Sequence, residues 1–299
     1  MGLLDRRVVL VTGKGGVGKT TVAAALAVEA ASRGKRVLLA ETQGASRVAE
    51  LFGRHHSGYE VRPLGPDLYS LSLTGEAAIE DYIVQQVKVR AIYKMVFRNR
   101  VMGPFMDGVP GVHDLVQLGK IMDLEGETSF GRPVWDLIVV DAPATGHGVT
   151  MLDGPRAMMD LTVAGPFHEG AKQIHDLFVD PLRTCIVLVT LPEEMPINET
   201  LELHERLGAY QEQVQAVVLN EVHEPPFASS LDAWSVARPH LAHLGEAVEL
   251  TDRAVRRARN QQRARQRLAA LQCPISELPM LSTRRLRVPQ LEELGRRLG

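Results

Sequence analysis

Cysteine is nearly missing: Cys185 and Cys273 are the only two in 299 residues, and they lie far apart. That excludes a secreted disulfide framework and any CxxC pair for zinc or redox chemistry, and a reducing, cytoplasmic setting is expected. Charge of one sign is also missing. Lys and Arg total 34 against 36 Asp and Glu, a formal charge of -2, which excludes a globally basic nucleic-acid binder. With 45% apolar residues the composition is not that of a disordered chain. No apolar run approaches the ~18 residues needed to cross a bilayer. The opening Met1-Gly2-Leu3-Leu4-Asp5 carries no basic, cleavable leader, so neither a transmembrane segment nor export is expected. There is no HExxH, and His240 with His243 lack a nearby carboxylate or thiol at ligand spacing, so no structural metal is assigned.

What is present is alternation. Short β-branched runs at 7–12, 36–40, 137–141, 185–190, 216–220 and 274–278 are separated by longer stretches with helical spacing. The pattern predicts an α/β fold, with a doubly wound, mainly parallel sheet and helices on both faces. Runs such as Ile186-Val187-Leu188-Val189 do not alternate, so the sheet is expected to be buried. Leu68 to Leu73 does alternate and reads as an edge strand or a short extension. One domain is expected over 1–299, with a helical subdomain inserted at about 76–130. There Ile79, Ile83, Val87, Ala91 and Met95 step by four, and Val112 to Leu124 resumes the pattern after Pro110-Gly111.

Seven of the ten methionines lie between Met95 and Met159, which suits core gap filling first and an adaptable apolar surface second. A helix over 252–270 carries Arg253, Arg256, Arg257, Arg259, Arg263, Arg265 and Arg267. These spread around the helix without interleaved aromatics, so a solvated helix is expected rather than a nucleic-acid surface.

The chemistry begins at Gly13-Lys14-Gly15-Gly16-Val17-Gly18-Lys19-Thr20, a GxxxxGK[ST] loop between an apolar strand and an alanine-rich helix. Such a loop turns its backbone N–H groups toward phosphates, and the following helix presents its positive end. Lys19 is expected at the β- and γ-phosphates, Thr20 at Mg²⁺, and Thr21 beside them on the nucleotide. Leu137-Ile138-Val139-Val140-Asp141 is an apolar strand ending in a carboxylate, the expected second anchor for Mg²⁺.

The loop GKGGVGKT resembles the deviant Walker A loop of the family that holds ParA, MinD, the nitrogenase iron protein and the ArsA group. That resemblance implies that Lys14 crosses a dimer interface to the partner's nucleotide; a solvated loop lysine is the competing reading. Asp141-Ala142-Pro143-Ala144-Thr145-Gly146-His147 looks like the switch II motif DTAPTGH of the ArsA arsenite-pump ATPases and of the guided-entry ATPases for tail-anchored proteins, with Ala-Pro-Ala in place of Thr-Ala-Pro. Carried over, Gly146 senses the γ-phosphate through its N–H, and hydrolysis releases the segment ending in Met158-Met159; His147 also reads as a helix cap or surface-turn residue. Leu191-Pro192-Glu193-Glu194 with Asn198-Glu199-Thr200 is similar to the family's PE...ET stretch. Val217-Val218-Leu219-Asn220 resembles its strand ending in an adenine-reading Asn, though an Asn here also suits a plain strand-end turn. Glu277-Leu278-Pro279-Met280 looks like the loop that closes over the base.

Switch I departs from the family's STDPAHS. Here Ala40-Glu41-Thr42-Gln43-Gly44-Ala45-Ser46 follows the second core strand, with Gln43 at the position of the water-orienting Asp. A glutamine amide orients water but accepts no proton, so slow hydrolysis is expected. The thiolates of arsenite sites are lacking too. The resemblance implies an ATP hydrolase using ATP and Mg²⁺, as a homodimer or a heterodimer with a related ArsA-like subunit, handling an apolar client. The chain resembles the Asp-lacking member of the unequal ArsA-like pairs found in bacteria. The alternatives are a weakly hydrolysing ATP-binding partner subunit and a ParA- or MinD-type positioning ATPase.

Overall fold

Runs such as Val8-Val9-Leu10-Val11 have no polar face to offer water, so each must sit in a sheet covered on both sides. In the computed structural model, which describes residues 2–43, 47–54, 59–73, 112–224, 231–283 and 285–299, they do. The strands are β1 (Val8–Gly13), β2 (Val37–Glu41), β3 (Arg62–Gly65), β4 (Leu68–Ser72), β5 (Thr128–Ser129), β6 (Arg132–Pro133), β7 (Leu137–Ala144), β8 (Thr184–Thr190), β9 (Val214–Val222) and β10 (Ile275–Pro279). Eight of them form one sheet in the order β10-β9-β8-β1-β7-β2-β4-β3. Every pairing is parallel except β3 with β4.

Strand pleating divides the core in two. Val8 and Leu10 face a layer containing α3 (Val112–Gly126), α4 (Thr145–Leu161) and α5 (Pro166–Val179). Val9 and Val11 face α1 (Lys19–Ser32), which is itself covered by α9 (Val288–Gly295). Because it lies between the sheet and α9, α1 is buried at every position from Val22 to Ala30. Alanine serves twice there: it is the best helix former, and it is small enough to let both neighbours approach. Between β8 and β9 runs α6 (Glu194–Arg206); α7 (Asp232–Ala237) and α8 (Glu246–Leu268) precede β10.

The expected strands all form, shifted by one to three residues at their ends. Three expectations need correction. Leu68–Ser72 is not the edge: β3 pairs outside it, and Pro63, which makes Arg62–Gly65 unlike a strand, is tolerated because an edge position can spare an N–H. Val112–Gly126 is helical as expected, but Thr128–Pro133 is a β5–β6 hairpin turned by Phe130 and Gly131, both with positive φ, so the insertion is not helical to 130. Its remainder, 74–111, lies outside the described residues, as does the four-residue step from Ile79 to Met95. Glu277, Leu278 and Pro279 belong to β10 rather than to a loop, because Glu277 stands opposite Leu219 and takes both prongs of Arg265, at 2.5 and 2.8 Å.

The arginine helix keeps a buried stripe of Val248, Val255, Ala258, Gln261, Ala264 and Leu268. Arg259 and Arg265 pair with Asp232 and Glu277. Among the described residues no helix is long and apolar enough to cross a membrane, and no cluster of three His, Cys, Asp or Glu side chains stands ready for a metal.

Parallel strands put the loops after β1, β2, β7 and β8 at one end of the sheet, where the order turns about β1. Gln117 of α3 locks that end from outside, donating to the carbonyls of Thr42 at 3.0 Å and Leu73 at 2.8 Å. Replacing it with alanine removes both bonds, so Gln117→Ala is expected to lower unfolding stability by about 1–2 kcal/mol, read as a lower urea midpoint with an unchanged slope.

Candidate functional site

The loop after β1 is shaped by backbone that only glycine tolerates. Gly13, at φ 149°, leaves the strand against β8 so closely that a Cβ there would collide with the Val189 carbonyl. Gly18, at φ 93°, is the residue before α1, and a Cβ there would strike the Asn220 amide. Between them Val17 is buried, pinning the loop to the core, while Gly15 and Gly16 are exposed. The loop is thus wrapped over the first turn of α1, whose free N–H groups and dipole attract an anion.

Lys19 and Thr20 open that helix. Lys19 Nζ donates to the Lys14 carbonyl at 3.1 Å, which folds the loop around the ammonium. Burial lowers its pKa; the nearby Asp141 carboxylate counters this and Arg47 adds to it. Thr20 Oγ1 donates to Asp141 Oδ2 at 2.6 Å, whereas Asp141 Oδ1 is buried with no hydrogen-bond partner. Burial therefore raises the Asp141 pKa, with Thr20, Lys19 and Arg47 pulling it back. A dry carboxylate oxygen beside a threonine hydroxyl is a costly arrangement for the protein alone and a fitting one for a hard divalent cation. Thr20 and Asp141 are the residues that would hold Mg²⁺.

The other expected residues are placed as follows. Lys14 forms an ion pair with Glu199 Oε1 at 2.6 Å within the same chain, both side chains about one-third exposed. Gly146 is exposed in the first turn of α4, so its N–H is among the groups a helix leaves free; the side chains of Thr145 and His147 lie outside the described residues. Gln43 is exposed just past β2. Asn220 is buried, and its amide donates to the Val17 carbonyl at 2.9 Å. That bond makes it a brace for the phosphate loop, a contact its sequence position did not suggest. Pro279 ends β10, partly exposed.

A cavity of about 720 Å³ opens beside the loop, lined by Gly18, Lys19, Thr20 and Thr21. This is an ordinary size for a cofactor site. Its outer wall holds Arg47, Arg54, Arg285 and Arg287, with Glu50 the acid among them. Arg287 is anchored on the Glu50 carbonyl at 3.0 Å. Sequence reasoning passed over these arginines, since they fall in two short segments more than 200 residues apart that only the fold brings together.

The site is tied to its neighbours. Thr12 Oγ1 donates to the Pro143 carbonyl at 3.2 Å, joining the phosphate-loop strand to the segment after Asp141. Thr42 donates through its hydroxyl to the Asp141 carbonyl at 2.8 Å, joining the ends of β2 and β7.

The model of the anion-transporting ATPase family matches residues 6–164 and 161–235. Over 300 residues the chain is 32% identical to the ATPase BagA of Mycobacterium tuberculosis, covering 92% of this chain and 88% of that protein. It is 28% identical over 231 residues to an arsenical pump-driving ATPase of Escherichia coli, covering 71% of this chain and 38% of that one. Its identity to the ATPase GET3C of Arabidopsis thaliana is 25% over 267 residues, 73% of this chain and 67% of the other.

Because the unpaired Asp141 oxygen is a cost that a cation relieves, Asp141→Asn is expected to raise the melting temperature of the metal-free protein. The scale is about 2 °C for each kcal/mol recovered in a chain of this size. The wild type is expected to rise further with Mg²⁺ and ATP and the variant is not, and differential scanning calorimetry reads both effects.

Proposed function

The chain belongs to the anion-transporting ATPase family, and from that membership we propose that it binds Mg·ATP on the Gly13–Thr20 loop and hydrolyses it. The observation that carries this reading is the buried Thr20–Asp141 contact, with its unpartnered carboxylate oxygen, beside Lys19. Lys19 supplies a cation that burial keeps close to the loop, and the loop amides with the start of α1 hold the phosphate oxygens. Bound Mg²⁺ would neutralise charge on the β- and γ-phosphates. Gly146 offers its N–H toward the terminal phosphate, and Thr12 links that segment back to β1. The base end of the nucleotide reaches into the arginine-walled cavity; Asn220 and Pro279, near the ends of β9 and β10, do not line it and are given to the base on the family resemblance alone.

Turnover is coupled to pairing. Lys14 is held by Glu199 in the resting chain, and a partly exposed ion pair of this kind is worth only about 0–1 kcal/mol. A partner's triphosphate easily outcompetes it, so Lys14 leaves Glu199 to reach across a dimer, formed with a second copy or with a related ArsA-like subunit. The client is apolar rather than a soft oxyanion. Cys185 is buried with its thiol pushed up to about 12, and a thiolate site cannot be assembled from the two cysteines present. Gln43 in place of a carboxylate makes the chain a slow hydrolase, which suits the non-identical member of a pair working in the cytoplasm.

The test is phosphate release beside light scattering, with and without a non-hydrolysable ATP analogue. Lys19→Ala is expected to abolish binding. Lys14→Ala keeps binding but loses ATP-dependent pairing or turnover, and Gln43→Asp raises turnover. A wild type that stays monomeric with saturating analogue and a related subunit present contradicts the role given to Lys14. Full activity from the single chain, with no gain from Gln43→Asp, contradicts the slow-partner reading.

A further inference from the structure

Arg47 opens α2 (Arg47–Leu51) on the chain that leaves β2, and its exposed side chain lines the same cavity as Gly18, Lys19 and Thr20. Among the described residues no carboxylate or hydrogen-bond acceptor engages its guanidinium, in contrast to Arg287, which is anchored on Glu50. Four arginines wall this cavity, but they are not equivalent. Arg47 alone among them is felt electrostatically by both Lys19 and Asp141, helping to lower the pKa of each. The start of α2 is tied to the metal end of the sheet, because the Val48 N–H donates to Glu41 Oε1 at 3.1 Å and Glu41 stands opposite Asp141 in the β2–β7 pairing. Arg54 follows the end of α2, and Arg285 and Arg287 precede α9.

The surroundings explain what such a cation would do. In the resting chain Lys14 is occupied by Glu199, so Lys19 is the one lysine of the loop whose charge faces the cavity. A bound triphosphate carries far more charge than one ammonium balances. Arginine suits the remaining oxygens because its planar fork gives two parallel donors, and it stays charged at any working pH.

Resting on the ATP-binding reading above, we propose that Arg47 is a phosphate-contacting residue that grips the β- and γ-phosphates in cis, giving a single chain preference for ATP over ADP before any partner lysine arrives. It also gives α2 a nucleotide-dependent tether. When the γ-phosphate is lost, the guanidinium loses half of its ligand and the start of α2 is freed.

Fluorescence titration of monomeric protein with Mg·AMP-PNP and with Mg·ADP tests this, using wild type, Arg47→Ala, Arg47→Lys and Arg54→Ala. Arg47→Ala is expected to weaken the triphosphate analogue roughly tenfold while ADP weakens by no more than about threefold. Arg47→Lys restores part of the difference, because it keeps the charge but loses the fork. Arg54→Ala shifts both nucleotides alike. An Arg47→Ala protein with the wild-type ratio of the two affinities overturns the assignment while leaving the ATP-binding reading intact. A wild type that binds neither nucleotide overturns both.

Discussion

A carboxylate held dry against a hydroxyl at the mouth of a parallel sheet is the constraint on which this protein turns. Asp141 ends the run of apolar residues in β7, and Thr20 lies in the first turn of a helix that is buried from Val22 to Ala30. Their 2.6 Å contact is made where burial disfavours the carboxylate's charge. The protein keeps that cost because the sheet leaves the carboxylate no solvent to turn to. Lys19 is under the opposite pressure, a cation lowered in pKa by the same burial. Together they make a place that is uncomfortable for the protein alone and complementary to a metal-bound polyphosphate, the preorganised polarity that phosphoryl transfer demands.

The surrounding bonds show how occupancy reaches other parts of the molecule. The ends of β1, β2 and β7 are cross-linked by Thr12 and Thr42, both reaching backbone carbonyls on β7. Gln117 then fastens α3, the described end of the long insertion, to the ends of β2 and β4. A displacement after Asp141 therefore pulls on bonded neighbours at the ends of β1 and β2 rather than on a free loop. Two discrete arrangements are the natural response of such a packed cluster. Lys14 and Glu199 add a weak latch at the same edge.

Much of this was legible in the sequence, for reasons that differ by element. The core strands were visible because β1, β7, β8 and β9 are buried on both faces and so read as continuous apolar runs. The phosphate loop was visible because its glycines are fixed by local backbone geometry, which spacing alone encodes. β3 was not visible: it contains a proline and survives only as an antiparallel edge. The β5–β6 hairpin was hidden because Phe130 adopts a left-handed turn that a bulky aromatic rarely marks. At the site, Asp141 and Thr20 could be named from motifs. The bracing of Val17 by Asn220 and the gathering of Arg47 with Arg285 depend on elements far apart in the chain, which no local pattern brings together. The unpartnered state of Asp141 Oδ1 was likewise beyond reach, since a motif names a residue but not its hydrogen bonds.

The Thr20–Asp141 metal site is tested by calorimetric titration of ATP into the wild-type protein with Mg²⁺ and again with the metal chelated. One nucleotide per chain is expected, bound markedly tighter when the metal is present, because Asp141 and Thr20 then trade an isolated contact for a shared cation. Binding of equal strength under both conditions, or no heat of binding in either, would contradict that expectation.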